Sequence, residues 1–187
     1  DGDVYDHQAA LRDLLGWLGK MPNLPEVIAA GHRVVHGGKE FSDPQRLTPE
    51  IMTRLETFIP LAPLHQPHNL AGIRALTAVR PDLPQVGCFD TAFHHGQPEL
   101  ARLFALPLVY RREGVQRYGF HGLSYEYIAG ALAEVVGTSA TGRVVVAHLG
   151  NGASMCAMHD GRSMASTMGF TAVEGLPMGT RSGSLDP

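Results

Sequence analysis

Apolar residues recur at helical spacing twice in the first third of the chain. Four leucines form the first stripe: Leu11, Leu14, Leu15 and Leu18. The second stripe follows Thr48-Pro49-Glu50, which offers a hydroxyl N-cap, a proline at the first helical position and an acid in the first turn. Its apolar members are Ile51, Leu55, Phe58 and Ile59. Both stripes predict amphipathic helices, the first of them ending in the glycine- and proline-containing stretch 19–25.

Continuous apolar runs predict buried strands at 27–35 and 85–89. Asn69 lies where it can cap a helix between these strands, and Ser124 where it can cap one that stops at Gly137. Three strands are then predicted, at 143–149, 153–159 and 162–167, joined by the turns Gly150-Asn151-Gly152 and Asp160-Gly161. The pattern is therefore mixed α/β, with strand–helix alternation first and a β-meander afterwards. The change between them predicts a domain boundary at 90–93.

Composition limits the class of function without choosing one. The 187 residues are 44% hydrophobic and 18% charged, which suits a globular chain with a substantial core. A formal charge of −3 with scattered arginines argues against nucleic-acid binding, and no apolar run approaches membrane-span length. Cys88 and Cys156 lie in apolar runs, which predicts buried, reduced thiols. Because the chain opens Asp1-Gly2-Asp3 without Met, we expect both ends to be cut.

Two arginines stand in settings that favour an anion. Arg33 interrupts an apolar run, where a charged group needs either a carboxylate partner or a bound anion. Arg181 lies between Thr180 and Ser182 in the glycine-rich segment 166–187, which we expect to be ordered and largely buried. A guanidinium fork in such a setting matches phosphate or carboxylate geometry.

Three further positions have a chemical and a structural interpretation each. Asp90 follows a buried strand, where an aspartate orients a nucleophile, holds a magnesium-bound water or caps a turn. His121 stands beside Phe120 between two glycines, and is either a hydrogen-bond donor to a ligand or a satisfied core histidine. The turn 150–152 is either an anion-binding loop or a plain hairpin turn.

Metal and hydrolase chemistry fit the sequence less well. His65 and His68 flank Pro67, which predicts loop residues, and no third ligand stands at a familiar zinc spacing. No nucleophile elbow for acyl hydrolysis is present. The arginines, histidine, aspartate and glycine turn instead favour phosphoryl transfer, in which a protein mainly positions groups and neutralises charge.

In this order, the segments closely resemble the acetate/propionate kinase family of the actin–sugar kinase–Hsp70 superfamily. Five segments carry the resemblance: RVVHGG, LAPLHQPHN, FDTAFH, RYGFHG followed by Ser124, and HLGNGAS with the later STMGFT and EGLPMGTRSG. The resemblance spans residues 30–187.

The resemblance implies roles residue by residue. Arg33 and Arg181 match the arginines that grip the phosphoryl group and the substrate carboxylate, and His121 matches the histidine that hydrogen-bonds the phosphoryl oxygens in the transition state. Asp90 matches the essential aspartate near acetate and magnesium. The positions matching the acetate-binding wall and its nearby histidine are Val35, Leu64, Phe120 and His65. The positions implied near the nucleotide phosphates are His148, Gly150, Asn151 and Gly152.

The implied reaction is ATP + acetate ⇌ ADP + acetyl phosphate, by direct in-line transfer with Mg²⁺ or Mn²⁺. The implied fold is α/β, of the ribonuclease H-like actin/sugar-kinase/Hsp70 type, with parts of two domains. Residues 1–90 would belong to the N-terminal acyl-substrate domain and 91–187 to the first part of the nucleotide-binding domain. The resemblance further implies a cytoplasmic enzyme that acts on small molecules, is homodimeric when complete, and binds neither nucleic acid nor membrane.

Three departures from the family pattern qualify this interpretation. The family's N-terminal phosphate loop is absent from these residues, and so is its adenosine-binding region with a magnesium-linked glutamate. We therefore expect a fragment that has no metal site and no turnover of its own. Ala172 stands where acetate enzymes usually have proline, which leaves propionate open as the substrate. A non-catalytic anion-binding module and a metal-dependent hydrolase built on the ten histidines are the alternatives.

Overall fold

The computed structural model describes residues 7–185, so the opening Asp1-Gly2-Asp3 lies outside the described residues. The helices are α1 (His7–Leu18), α2 (Pro49–Glu56), α3 (Gln66–Val79), α4 (Leu108–Arg112) and α5 (Gly122–Val136). The strands are β1 (Ala30–Val34), β2 (Gln45–Arg46), β3 (Gln85–Phe89), β4 (Arg143–Leu149), β5 (Ala153–His159) and β6 (Arg162–Ser166). Short 3₁₀ turns occupy Ile59–Leu61, Ala92–His94, Glu99–Arg102 and Gly137–Thr141.

Two three-stranded sheets organise the described residues. In the first, β1 runs parallel to β3 and β2 pairs antiparallel with the other side of β3, giving the order β1-β3-β2. The second is an antiparallel meander in the order β4-β5-β6. The strands of the first sheet all precede residue 90 in the sequence, and those of the second all follow it. This order is in keeping with the predicted domain boundary, which itself stays a prediction.

Apolar packing joins these elements in three clusters. The first cluster closes α2 and α3 over β1 and β3 through Val34, Leu55, Leu70, Ile73 and Phe89. The second joins distant segments behind the ends of these strands through Val35, Ala62, Tyr118, Phe120 and Met168. The third packs α5 on the meander through Tyr125, Cys156 and Met158. The second cluster fixes the segment before α5 against the end of β1.

Several predicted elements are confirmed. Helix α2 begins where the cap predicts, since the Ile51 N–H donates to Thr48 Oγ1 at 3.4 Å. Strands β3, β4 and β5 have the predicted bounds, and β6 is one residue shorter than predicted. Asp160 and Gly161 both have positive φ, 51° and 70°, as a tight hairpin turn requires.

Two predicted helix starts are wrong. Helix α3 begins at Gln66 rather than after Asn69, because Pro67 fits the first helical turn, where a missing N–H costs nothing. His68 therefore lies in the helix and His65 precedes it, whereas the sequence predicted loop residues. Helix α5 begins at Gly122, so Ser124 lies inside it and is not its cap.

Other differences concern length and exposure. Strand β1 covers Ala30–Val34 instead of 27–35, and its Arg33 side chain is 62% exposed. Helix α2 ends at Glu56, before Phe58. The segment 166–185 is mostly half-buried rather than largely buried. Cys156 is buried as predicted, whereas Cys88 is only partly so, and both thiols are free. Among residues 7–185, no helix has the length and apolar character needed to cross a bilayer.

Candidate functional site

A single cavity gathers most of the predicted site residues. Its volume is about 400 Å³. It lies where the carboxyl ends of β1 and β3 face the β4–β5 turn and the segment after β6. Its lining residues are Arg33, Val35, His65, Asn69, Asp90, Phe120, His121, His148, Asn151, Gly152, Ala172 and Arg181. Two predicted residues, Leu64 and Gly150, are not among them.

Arg33 and Asp90 form a bidentate ion pair at one wall of this cavity. Arg33 Nε donates to Asp90 Oδ1 at 3.0 Å, and Nη2 donates to Oδ2 at 2.7 Å. Asp90 is 1% exposed, so its carboxylate is the buried partner, and its hydrogen bonds raise the pKa of Arg33. The pair resolves the open question for Arg33, which has a carboxylate partner. Its Nη1 takes part in none of these hydrogen bonds and can serve a ligand.

His121 presents one ring nitrogen towards the cavity. Its backbone is left-handed, with φ 59° and ψ 21°, a conformation that costs energy for a residue with a side chain. The Nδ1 atom hydrogen-bonds Ser154 Oγ at 2.8 Å, which leaves Nε2 for a ligand. Burial first, and then the neighbouring His148, Arg33 and Arg181, lower the pKa of His121 to about 4. The imidazole is therefore neutral near pH 7.

His148 lies next to His121 in the cavity lining. Its ring stacks on His121 with centroids 4.1 Å apart and planes 21° from parallel. Its Nδ1 hydrogen-bonds Ser124 Oγ at 3.0 Å, so the serine that was expected to cap α5 holds this ring instead.

Arg181 lines the cavity from the segment that follows β6. Its Nη1 donates to the Ala172 carbonyl at 2.7 Å, and the Met178 N–H donates to the Arg181 carbonyl at 2.9 Å. The Ala172 carbonyl, rather than a neighbouring hydroxyl, therefore fixes this side chain, and the Met178 bond fixes the Arg181 backbone. The pKa of His65 is lowered by burial first, and then by the charges of Arg181 and Arg33. The positive charges of both guanidiniums therefore lie close enough to His65 to affect its protonation.

The charges of the lining residues favour an anion. Two guanidiniums, Arg33 and Arg181, face a single carboxylate, Asp90. Within the described residues, no group of three or more His, Cys, Asp or Glu side chains is arranged to hold a metal ion. Asp90 is already engaged by Arg33. The donors present on this chain therefore suit a phosphate or carboxylate better than a bare cation.

The glycine turn contributes less backbone than the sequence suggested. The Gly150 N–H donates to the Gly152 carbonyl at 3.2 Å and is therefore not free for an anion. Asn151 and Gly152 do line the cavity, and Asn151 is exposed there. Of the predicted phosphate-side residues, Gly150 thus shapes the turn, and the other three line the cavity.

A second, more apolar cavity adjoins the first. Its volume is about 550 Å³, and it holds Leu64, whose exposure is 76%. The two cavities share six residues: Val35, His65, Phe120, Asn151, Ala172 and Arg181. Val35 and Phe120 are buried and form the apolar wall between them. The predicted wall residues Val35, Leu64 and Phe120 therefore all line the second cavity, whereas Leu64 does not line the first.

Sequence reasoning missed residues that support the site from behind. Asn69 Oδ1 accepts the Val35 N–H at 2.9 Å and so fixes the end of β1. His94 is 1% exposed, and its Nε2 bonds the Phe120 carbonyl at 2.9 Å while its Nδ1 bonds Ser163 Oγ at 2.8 Å. His94 was visible in the FDTAFH segment, but its partner Ser163 lies 69 residues away and left no local signal.

Known proteins resemble the chain over its whole length. The Acetokinase family model matches residues 1–187. The acetate kinase of Methylocella silvestris is 59% identical over 185 residues, which are 99% of this chain and 46% of that protein. An acetate kinase of Rhodopseudomonas palustris is 58% identical over 182 residues, 97% of this chain and 46% of that protein. The chain therefore spans about half the length of the curated relatives it matches.

Solved structures match as well. A crystal structure of Porphyromonas gingivalis acetate kinase aligns with a TM-score of 0.87 and 42% identity, covering 100% of this chain and 48% of that one. A crystal structure of a propionate kinase from Francisella tularensis aligns with a TM-score of 0.89 and 39% identity, covering 96% of this chain and 47% of that one.

Proposed function

The chain belongs to the acetokinase family, and from that premise we propose that it carries the acyl- and phosphoryl-binding part of an acetate kinase. The proposed reaction is ATP + acetate ⇌ ADP + acetyl phosphate, by direct in-line transfer. Its α/β fold is shared with solved acetate and propionate kinases, which confirms the fold class predicted from the sequence.

The convergence of two guanidiniums and a neutral histidine on one cavity carries this proposal. In the transition state of transfer, the phosphoryl group spreads negative charge over its equatorial oxygens. Fixed positive donors therefore stabilise it without proton transfer. Arg33 is held by Asp90 and Arg181 by a backbone carbonyl, so neither side chain has to be ordered when substrate arrives. His121 adds an uncharged ring nitrogen to this set.

The two ends of the cavity suit different substrates. The apolar wall of Val35, Phe120 and Ala172 suits an acyl chain, and the side with His148 and Asn151 suits the ATP phosphates. Mg²⁺ enters this scheme as part of the MgATP substrate, held mainly by phosphate oxygens and water. Mn²⁺ would take the same place.

The direct test uses the protein expressed from its whole coding sequence and measures acetyl phosphate as a hydroxamate. Arg33→Ala and Arg181→Ala each remove a fixed charge, and we expect each to lower kcat/KM by about a hundredfold or more. Arg74→Ala is the matched control, because Arg74 pairs with Glu56 on the exposed face of α3, where a salt bridge contributes little. Retained turnover in either site variant would contradict the proposal.

A second experiment concerns the 187 residues alone. We expect no turnover from them, because they span about half of the related kinases. For the protein expressed from its whole coding sequence, calorimetric titration with phosphate and then ADP separates this proposal from a non-catalytic anion-binding module, in which ADP would have no effect on phosphate binding. Robust hydroxamate formation by the 187 residues alone would show that the interpretation as a partial kinase is wrong.

Propionate is the second candidate acyl substrate. Ala172 lines both cavities, and the adjoining volume of about 550 Å³ leaves room beyond the acetate methyl. Ala172→Pro should raise the acetate-to-propionate ratio of kcat/KM about tenfold, the scale expected for one methylene-sized contact. Ala172 suits this test, because proline keeps the carbonyl that accepts from Arg181. An unchanged ratio would remove Ala172 from acyl selection.

Location and assembly belong to the same proposal. The two free cysteines, Cys88 and Cys156, are compatible with the reducing compartment expected of a cytoplasmic enzyme. A homodimer of the whole protein follows from the family resemblance, and sedimentation of the protein expressed from its whole coding sequence tests it.

A further inference from the structure

We propose that Tyr125 and Ser154 are positioning residues that decide which nitrogen of His121 carries its proton. The inference rests on the proposed function, because it assigns a task to His121 within the same site. Ser154 Oγ stands between two partners, the Tyr125 hydroxyl and His121 Nδ1, the latter at 2.8 Å. Tyr125 belongs to α5, and Ser154 to β5. The three groups form one continuous hydrogen-bonded chain that ends at the cavity.

Burial makes the direction of this chain matter. Tyr125 and Ser154 are both 0% exposed, so water cannot replace a missing partner. Each hydroxyl carries one hydrogen and must donate it to an acceptor within the protein. Among the described residues, the only acceptor that hydrogen-bonds the Tyr125 hydroxyl is Ser154 Oγ.

One direction satisfies every donor, and the other does not. If Tyr125 donates to Ser154, then Ser154 donates to His121 Nδ1, and each hydroxyl hydrogen has an acceptor. If His121 Nδ1 carried the proton, it would donate to Ser154 Oγ, and two arrangements would remain. If Ser154 then donated to Tyr125, the buried Tyr125 hydrogen would have no acceptor. If Tyr125 also donated to Ser154 Oγ, the buried Ser154 hydrogen would have none, so either arrangement leaves an unsatisfied donor. The first direction is therefore favoured, and His121 carries its proton on Nε2.

This choice matters at the cavity, where Nε2 lies. A Cβ placed on Gly152, a residue of the cavity wall, would be 3.1 Å from His121 Nε2. With the proton on Nε2, the ring donates to a phosphoryl oxygen. With the proton on Nδ1, it would present a lone pair to the same negative oxygen and repel it. The hydrogen bonds from Tyr125 to Ser154 and from Ser154 to His121 thus keep the neutral histidine as a donor towards the phosphoryl group.

The first test reads the tautomer directly in the protein expressed from its whole coding sequence. Histidine labelled with ¹⁵N distinguishes a protonated ring nitrogen from an unprotonated one by NMR, and the His121→Gln variant identifies the signal. We expect a neutral ring with Nε2 protonated near pH 7. A proton on Nδ1, or a doubly protonated ring, would overturn the inference. This measurement needs no turnover, so failure of the proposed kinase activity would remain a separate result.

The second test removes the hydroxyls of Tyr125 and Ser154 in turn. Tyr125→Phe deletes the donor that directs Ser154, and we expect a mixture of tautomers and a two- to tenfold lower kcat, the scale of about one hydrogen bond. Ser154→Ala should lower kcat further, because it leaves the buried Nδ1 without a partner. The KM for acetate should change little in either variant, since both arginines keep their own supports.

Tyr127→Phe is the matched control. It removes the same hydroxyl from the same helix, at a side chain that is 74% exposed and outside the cavity lining. It should leave both kcat and the His121 tautomer unchanged. If Tyr125→Phe and Ser154→Ala lowered only the melting temperature and kept the tautomer and kcat, the two residues would be packing residues and the inference would be wrong. Should Ser154→Ala fail to fold, the native tautomer and Tyr125→Phe still decide the question.

Discussion

The side chains of Arg181 and His121 both approach the backbone of Gly152, which has no side chain of its own. A Cβ at this position would lie 2.9 Å from Arg181 Nη2 and 3.1 Å from His121 Nε2, closer than real Cβ contacts allow without a shift. We therefore expect Gly152→Ala to displace one of these side chains and to lower kcat/KM by about a hundredfold, as misplacements near 1 Å can. Steady-state kinetics of acetyl phosphate formation checks the prediction.

Gly130→Ala supplies the comparison for that substitution. Gly130 lies inside α5, and a Cβ there would meet nothing within 4 Å. Alanine is the better helix former by roughly 0.5–1 kcal/mol, so this variant should keep its activity and gain stability. Similar losses of activity in both variants would contradict a local clash at Gly152.

Single residues were predictable where their type alone carries the chemistry. Arg33, Asp90, His121 and Arg181 stand out as charged or titratable groups beside glycines and strand ends, and the structure places all four at one cavity. Their supports were not predictable. His121 depends on Ser154, 33 residues away, and no local spacing connects such partners before the chain has folded.

Helix α2 is held at its start by a side chain rather than by tertiary packing alone. Thr48 has extended backbone, and its Oγ1 accepts the Ile51 N–H. Thr48→Ala should therefore lower the free energy of unfolding by about 1 kcal/mol, the usual contribution of an N-cap. Chemical denaturation measures this change, and kcat should be unaffected, because Thr48 does not line the cavity.

Thr53→Ala is the paired control in the same helix. The Thr53 hydroxyl donates to the Pro49 carbonyl, which the helix does not need, and its side chain is exposed. Alanine in this helical position should leave stability equal or slightly higher. A loss as large as that of Thr48→Ala would mean that the cap has no special role.

The start of α5 shows where element prediction stops working. A Cβ on Gly122 would lie 2.2 Å from the Asp90 carbonyl oxygen, and the Gly122 N–H donates to that same oxygen at 2.8 Å. The helix therefore begins at Gly122, where its backbone contacts the residue that follows β3. Pattern reasoning favoured Ser124, since a serine is a good cap. The contact that decided the start comes from a residue over thirty positions earlier in the chain.

The whole molecule should be sensitive to acid through its buried histidines. Burial lowers the pKa values of His36 and His94 to about 4, from an ordinary value of 6.5. Above pH 6.5 these rings are neutral in both the folded and the unfolded chain. As the pH falls from 6.5 towards 4, these histidines bind protons in the unfolded chain but remain neutral in the folded chain. The free energy of unfolding therefore decreases. Urea denaturation at several pH values across this window measures the slope.

Variants identify the source of that slope. His36→Asn removes a fully buried ring that lies outside the cavity lining, and it should reduce the pH dependence between 6.5 and 4. His159→Asn removes an exposed ring at the end of β5 and should leave the slope unchanged. Equal effects of the two substitutions would assign the acid sensitivity to groups other than the buried histidines.

At this scale, the sequence predicted the parts better than their assembly. Strands β3, β4 and β5 and the meander turn follow from apolar runs and turn residues, and the structure has them at the predicted bounds. The cavity instead joins Arg33 near one end of the chain to Arg181 near the other. Only the resemblance to a family could anticipate that meeting, because periodicity describes neighbours along the chain and not residues brought together by folding.

The pairing of β1 with β3 implies an uneven tolerance to insertions and deletions. Val34 lies opposite Phe89, and the Asp90 N–H continues the ladder by donating to the Val34 carbonyl at 3.0 Å. Side chains alternate between the two faces of a strand, so losing one residue from β1 would turn Arg33 away from Asp90 without altering either residue. A frame-preserving deletion there should be as damaging as replacing the arginine itself. An added residue in the Asp160–Gly161 hairpin, far from the cavity, should be far better tolerated.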